Sequence, residues 1–316
     1  MSDDALPLPR PVLRMEELST RALDALDRAR TVVVLTVSPL EEHGPHLPLG
    51  VDAFIARHFA ESIACRLAAP PRDWTVVLAP TLHVGSFTFR APGTLAVRQR
   101  VVRDAVVDYG RSLARAGFRH ILIANGHGGP GHLVALEEAA ARVSRRFGIT
   151  MASFTGALAW RFLRGGFLEE IEAALGRPLS PEERQAFADD AHGGWWETSV
   201  MLWLRPDLVD EGFRDLPPAR YSRWARLVPD FPLRNGGQGY VGHPALADPA
   251  FAKATSAVLM DAALALVDGI LDGRAAPARH RSPFYPIPFF RTDFWPVTAA
   301  LGAAAIAGWY LRRRRR

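Results

Sequence analysis

A chain of 316 residues with 48% hydrophobic content is long enough to bury a large core, as one big α/β domain or as two smaller ones. A single cysteine, Cys65, excludes an internal disulfide and any cysteine-rich zinc site; in its apolar, helix-like stretch it reads as a small buried hydrophobe, and nothing demands an oxidising compartment. The formal charge of +5 does not describe a nucleic-acid-binding face, because residues from 274 onward carry +8 and the remainder −3. The N-terminus, Met1 to Leu6, is acidic with no apolar run, so no secretory signal is expected and the location read from it is cytoplasmic.

In chain order, Met15 to Arg30 predicts a helix and Thr31 to Val37, rich in β-branched residues, a buried strand. The stretch Leu40-Glu41-Glu42-His43-Gly44-Pro45-His46-Leu47-Pro48-Leu49-Gly50-Val51-Asp52 follows at once. Glu41 and His43 are two apart, so on an extended backbone their side chains leave from the same side, and Glu42 points away. Asp52 stands where a helix should start, and Asp is a favoured cap. Alone, this stretch also reads as a polar loop with solvated carboxylates. Asp52 to Leu67 predicts a helix, Thr75 to Ala79 a strand, and Val101 to Ala116 an amphipathic helix ending at Gly117. The strand Arg119 to Ala124 leads into Asn125-Gly126-His127-Gly128-Gly129-Pro130, then come a helix from Leu133 to Phe147 and a strand around Thr150 to Thr155. This alternation predicts βαβ units: a three-layer α/β/α fold with a mostly parallel central sheet.

Beyond Gly156 the pattern loosens. Pro181 to Asp190 is helix-like, and His192-Gly193-Gly194-Trp195-Trp196-Glu197 is a glycine turn running into an apolar helix. Residues 206 to 238 look irregular, and Pro249 to Leu271 predicts a long final helix of the domain. The reading divides the chain into a domain at 1–273, a Pro/Arg-rich linker at 274–294, and at 295–316 an apolar helix with five terminal arginines. The uncharged stretch Trp295 to Leu311 is at the lower limit for a membrane span. Aromatics at its ends and arginines beyond it suit a helix lying in a membrane interface, with an ordinary packed or disordered tail as the alternative.

Three loops carry the chemistry: Glu41/His43/Asp52, His127 among glycines, and His192/Glu197. Histidines and carboxylates on strand-end loops, with no cysteine on offer, are the donor set for Zn, Mn or Fe. Each has a plainer role when taken singly, Glu197 as a dipole partner at a helix start above all.

Together these motifs resemble the creatininase family: Glu41-x-His43-Gly44-Pro45-His46…Asp52, then Asn125-Gly126-His127-Gly128-Gly129, then His192-Gly193-Gly194-x-x-Glu197-Thr198-Ser199. Weaker blocks are Pro92-Gly93-Thr94 and Gly239 to Pro244, and the match spans roughly residues 25 to 272. The resemblance implies a metal-dependent hydrolase of a small amide C–N bond, two divalent ions per subunit, and assembly as a homo-oligomer, often a hexamer. It implies that Asp52 bridges the ions, that Glu41 and His127 complete one and that His43 serves the other. Creatinine-cleaving relatives place a glutamate where Gly129 stands here, so Glu197 is the candidate for the remaining ligand, and His192 for carrying a proton to the leaving nitrogen. The loop before Pro92 departs from the family pattern and offers Ser86, Thr88 and Arg90, with Arg90 suited to a substrate carboxylate or phosphate. Trp195 enlarges one apolar wall of the pocket. Creatinine is therefore not the expected substrate; the alternatives are a peptidase-type member or an inactive membrane-tethered scaffold.

Overall fold

The computed structural model describes residues 12–222 and 224–314; the acidic N-terminal residues and the last two arginines of the tail lie outside the described residues. Five short strands form one parallel sheet: β1 (Val12–Arg14), β2 (Thr31–Thr36), β3 (Thr75–Leu78), β4 (His120–Ala124) and β5 (Thr150–Ser153), in the order β1-β3-β2-β4-β5. Alternation along each strand divides the core. Val32, Val34, Val76, Leu78, Leu122 and Ala124 face one layer of helices, while Val33, Leu35, Val77, Ile121, Ile123 and Met151 face the other. Both faces are covered, which is why the strands read as unbroken apolar runs. The first layer holds α2 (Val51–Ala68), α8 (Trp195–Leu204) and α9 (Pro249–Leu271); the second holds α3 (Gln99–Arg115) and α4 (Pro130–Phe147). The α/β/α architecture expected from the alternation is present.

Chain direction across the sheet decides where a site can form. From β2 the chain passes through α2 to β3 on one side; from β3 it crosses through α3 to β4, then on to β5, on the other. The switch point lies between β2 and β4, so the loops leaving these two strands open a crevice at the sheet's carboxyl edge.

Three parts of the sequence reading need correction. Met15 to Arg30 is not one helix: a short 3₁₀ turn, Met15–Glu17, precedes the five-residue α1 (Thr20–Asp24). The Arg28 guanidinium bonds the Leu23 and Leu26 carbonyls at 2.5 and 3.1 Å, ending that helix. Strand β1 was not foreseen, because three residues at a sheet edge carry no periodicity. The region after Gly156 is more regular than its pattern suggests: besides the expected helix α7 (Pro181–Asp189), α5 (Gly156–Leu163) and α6 (Leu168–Leu175) are present, and the three add Phe187, Phe162 and Ile171 to the core.

After α9 the chain folds back over the second layer. Ser282 donates from N and Oγ to the buried Glu137 of α4, at 2.5 and 3.0 Å. Arg291 pairs with Glu138 at 2.5 Å, and Asp293 with Arg103 and Arg142 at 2.7 Å each. This strap ends in α10 (Phe294–Arg314), along which Trp295, Val297, Leu301, Ile306 and Trp309 are exposed. Among the described residues, one helix is long and apolar enough to cross a membrane by composition, and it is α9, which packs in the core.

Candidate metal centre

The loop after β2 is closed on itself, with Glu41 N donating to the Leu49 carbonyl at 2.9 Å and Leu95 N to the Leu40 carbonyl at 2.9 Å. That closure brings Glu41 and His43 back over the first turn of α2, where Asp52 sits. In the loop after β4, Asn125 acts as a staple. Its Oδ1 accepts from His127 N at 3.0 Å and its Nδ2 donates to the His127 carbonyl at 2.6 Å. Two glycines let the three segments touch. A Cβ at Gly126 would fall 2.2 Å from the Asp52 carbonyl oxygen, and one at Gly193, whose φ is +57°, would fall 2.4 Å from that of His43.

The result is a buried cluster. Asp52 Oδ1 lies 3.4 Å from His43 Nε2, and Asp52 Oδ2 3.3 Å from His127 Nδ1. Glu41 Oε2 is 3.0 Å from the same His127 nitrogen, and Glu197 Oε2 3.7 Å from His43 Nε2. Ligand atoms of Glu41, Asp52 and His127 come within 4.8 Å of one another, as do those of His43, Asp52 and Glu197, so Asp52 is common to both groups. A further grouping joins Glu41, His43 and His192. Glu42 belongs to none of them; its side chain accepts from Gly44 N at 2.6 Å.

Three carboxylates in one buried place demand positive charge. Burial alone would push both imidazoles toward neutrality, yet Asp52 and Glu197 hold His43 up at about 10, and Glu41 with Asp52 hold His127 well above the usual histidine range. Burial would likewise raise Asp52 and Glu41; the facing histidines outweigh it and hold both carboxyls low. Glu197 is pushed up to about 7 by burial, only partly offset by His43. Glu41 Oε2, His43 Nε2 and Asp52 Oδ2 are buried without a hydrogen bond, as donor atoms meant for a cation would be. These residues fit divalent ions, whose binding would displace the imidazole protons.

The surrounding shell orients the cluster. His43 Nδ1 donates to the Glu41 carbonyl at 2.9 Å, and His127 Nε2 to the Ser86 carbonyl at 3.2 Å. Phe89 N donates to Glu41 Oε1 at 2.6 Å. His192 stacks on His43 with ring centroids 4.1 Å apart, and its Nε2 meets the Glu42 carbonyl at 2.6 Å. A carbonyl only accepts, so Nε2 carries the hydrogen and Nδ1 the lone pair; burial, then the charge on His43, keep this imidazole low, at about 4.

The expected substrate residues are distributed differently. Ser86 is at the centre through its carbonyl, and its buried hydroxyl makes no hydrogen bond. Thr88 Oγ1 is likewise buried and unpartnered. Arg90 is a surface residue paired with Asp230 at 2.7 Å. Trp195 is packed away from the crevice, its indole stacked on Phe251 with centroids 4.1 Å apart. Its neighbour Trp196 lines a cavity beside His127 and Glu197, with Thr155 and residues of α5 and α9. Those wall residues had no individual signal in the sequence, since segments far apart in the chain, α5, the turn before α8 and α9, supply them.

A parallel α/β sheet with a buried histidine–carboxylate cluster at its switch point is the arrangement of an α/β hydrolytic enzyme class. The creatinine amidohydrolase (creatininase) family model matches residues 16–267, and the chain belongs to the creatininase family. It is 30% identical over 227 residues to the mycofactocin precursor peptide peptidase of Mycolicibacterium smegmatis, covering 71% of this chain and 76% of that one. It is 31% identical over 217 residues to the creatinine amidohydrolase of Pseudomonas putida, covering 66% and 77% respectively. A solved manganese form of creatininase superposes with a TM-score of 0.60 at 26% identity, over 83% of this chain and 97% of that structure. Family membership makes this chain a hydrolase homologue of the amidohydrolase type, and the strap and α10 lie beyond the matched region.

Proposed function

We propose that the chain is a metal-dependent hydrolase of a C–N bond in a small amide other than creatinine, using two divalent ions (Zn, Mn or Fe). The observation that carries this is the sharing of Asp52 between two ligand groups, one oxygen facing each histidine. Glu41, Asp52 and His127 would hold one ion, and His43, Asp52 and Glu197 the other. Bound there, the ions would supply an acidified water and a polarised substrate carbonyl at neutral pH. The chain's own part is proton handling and orientation. His192, with Nε2–H committed to the Glu42 carbonyl, has Nδ1 to take a proton and pass it to the leaving nitrogen. Glu197, beside Gly193 N at 2.5 Å, holds the turn that carries His192.

Support for a substrate other than creatinine comes from Gly129. A Cβ there would fall 2.4 Å from His127 Nε2 and 2.8 Å from the Phe87 carbonyl, leaving no room for a ligand side chain from that position. A peptidase-type activity is the second reading, favoured by the 30% identity to the mycofactocin precursor peptide peptidase. Metal analysis of the purified chain with a panel of formamides, cyclic amides and short peptides tests both. Stoichiometric metal with no turnover on any of them would point instead to a scaffold on this fold.

We further propose that α10 tethers the otherwise cytoplasmic enzyme to anionic membrane surfaces, its exposed apolar residues entering the interface and the terminal arginines meeting lipid headgroups. Assembly as a homo-oligomer, a hexamer by resemblance, is tested by light scattering.

A further inference from the structure

A cavity of about 70 Å³ lies between α5, α9 and the turn before α8, and its lining includes both His127 and Glu197. Phe154, Leu158, Phe162, Leu163, Leu259 and Met260 make its walls apolar. Thr155 lines it too; this residue is 6% exposed, and its Oγ1 has no hydrogen-bond partner. An orphan hydroxyl against mostly apolar walls is a cost that folding normally avoids, so its natural partner is a ligand atom. The cavity is roughly half the size of a 150 Å³ apolar cavity that accepts benzene. That suits a branched aliphatic group of about four carbons and is too small for an aromatic ring.

We infer that this cavity is a substrate subsite for a compact branched aliphatic group, isopropyl to isobutyl in size, carried next to the scissile amide, with the Thr155 hydroxyl bonding a polar atom at its root. The inference rests on the hydrolase reading for its place in a reaction, and on the cavity alone for its binding chemistry. Apart from Asp190, whose carboxylate is held by Trp195 N and Trp196 N, and from His127 and Glu197 of the centre, the side chains of the lining are uncharged, so outside the centre the pocket offers no basic group to pair with an anion. Each of the two ligand groups contributes one residue to the lining, His127 and Glu197, so an aliphatic group held here would keep its amide next to the centre. Discrimination by a pocket of this kind amounts to about 10–200-fold per methylene gained or lost.

The test uses the metal-loaded full chain and three neutral amides: acetamide, isovaleramide and phenylacetamide. Binding is read by ligand-observed NMR titration and, separately, hydrolysis by ammonia release. Isovaleramide should bind at least about 10-fold more tightly than acetamide, and phenylacetamide should bind worse than isovaleramide. Leu158→Ala, which enlarges the pocket, should move the preference toward phenylacetamide. Thr155→Val should weaken isovaleramide severalfold and leave the order of the three intact. Equal binding of the three amides, saturable binding of none, or an order that Leu158→Ala does not alter overturns the subsite. The size order in binding without ammonia release sustains the subsite and sinks the hydrolase reading; ammonia release without size order does the reverse.

Discussion

Asp52 turns its two carboxylate oxygens toward two different histidines, Oδ1 toward His43 at 3.4 Å and Oδ2 toward His127 at 3.3 Å. Those histidines come from loops after β2 and β4, the strands that flank the switch point. One carboxylate at the start of α2 therefore joins two halves of a site that are far apart in the chain.

Asp52→Ala should empty both ligand groups, with loss of bound metal and of turnover together. His192→Ala should retain metal and lose about 10²–10⁴-fold in turnover, the usual worth of a proton carrier. Metal content by plasma spectrometry after gel filtration, alongside hydrolysis rates, separates the two. Metal loss in the His192 variant would place that residue among the ligands, where its grouping with Glu41 and His43 also allows it.

The strap bears on the centre through Phe87. This residue has φ +60°, a costly conformation for a side chain of its size, and its ring fills the space over Gly131. Phe290 of the strap meets it edge-on with centroids 6.1 Å apart, and the Phe290 carbonyl accepts from Gln99 at 2.7 Å. Flanking residues of the same loop hold the ligands, Ser86 through its carbonyl to His127 and Phe89 through its amide to Glu41. Phe290→Ala should weaken Mn(II) binding by about 10-fold, within the range for loss of an orienting contact, with a small change in thermal midpoint. Unchanged affinity in a metal titration would detach the strap from the centre.

Glu137 gives a pH dependence away from the metal ligands. Burial raises its carboxyl to about 7, with the two Ser282 hydrogen bonds and the nearby Arg281 and Arg291 pulling only partly the other way. A carboxyl raised in the fold binds its proton more tightly than in the unfolded chain. Its stabilisation is full below the unfolded value of about 4.5 and is lost as pH rises through about 7. Relative to Glu137→Gln, the wild type should lose on the order of 3 kcal/mol between pH 4.5 and 8. Urea midpoints of the two proteins across that range read it out, and parallel curves would refute it.

The membrane proposal predicts that the full chain pellets with phosphatidylglycerol vesicles at low salt and is released as salt screens the arginines. A chain ending at Gly273 should stay in the supernatant throughout. Equal behaviour of the two would eliminate the tether.

The fold class and the residues that form the buried cluster were legible in the sequence because both are local. Unbroken apolar runs mark strands buried on both faces, and Glu41, His43, Asp52 and His127 each stand within a few residues of a strand end or helix start. The short β1 and the helices α5 and α6 were not legible, since their apolar residues gain meaning only against α9 and the sheet edge. Arg90 and Trp195 show the same limit from the other side: an arginine near a motif carries no record of Asp230, 140 residues away, nor a tryptophan of Phe251. By itself the sequence determined the sheet's alternation and the donor set, because strand and loop chemistry are written in neighbouring residues. Only the tertiary structure decided that Asp52 is shared between two histidines, that Trp196 and Thr155 line the cavity, and that the strap bears on Phe87. Each of those depends on chain crossings that bring distant segments within a few ångströms.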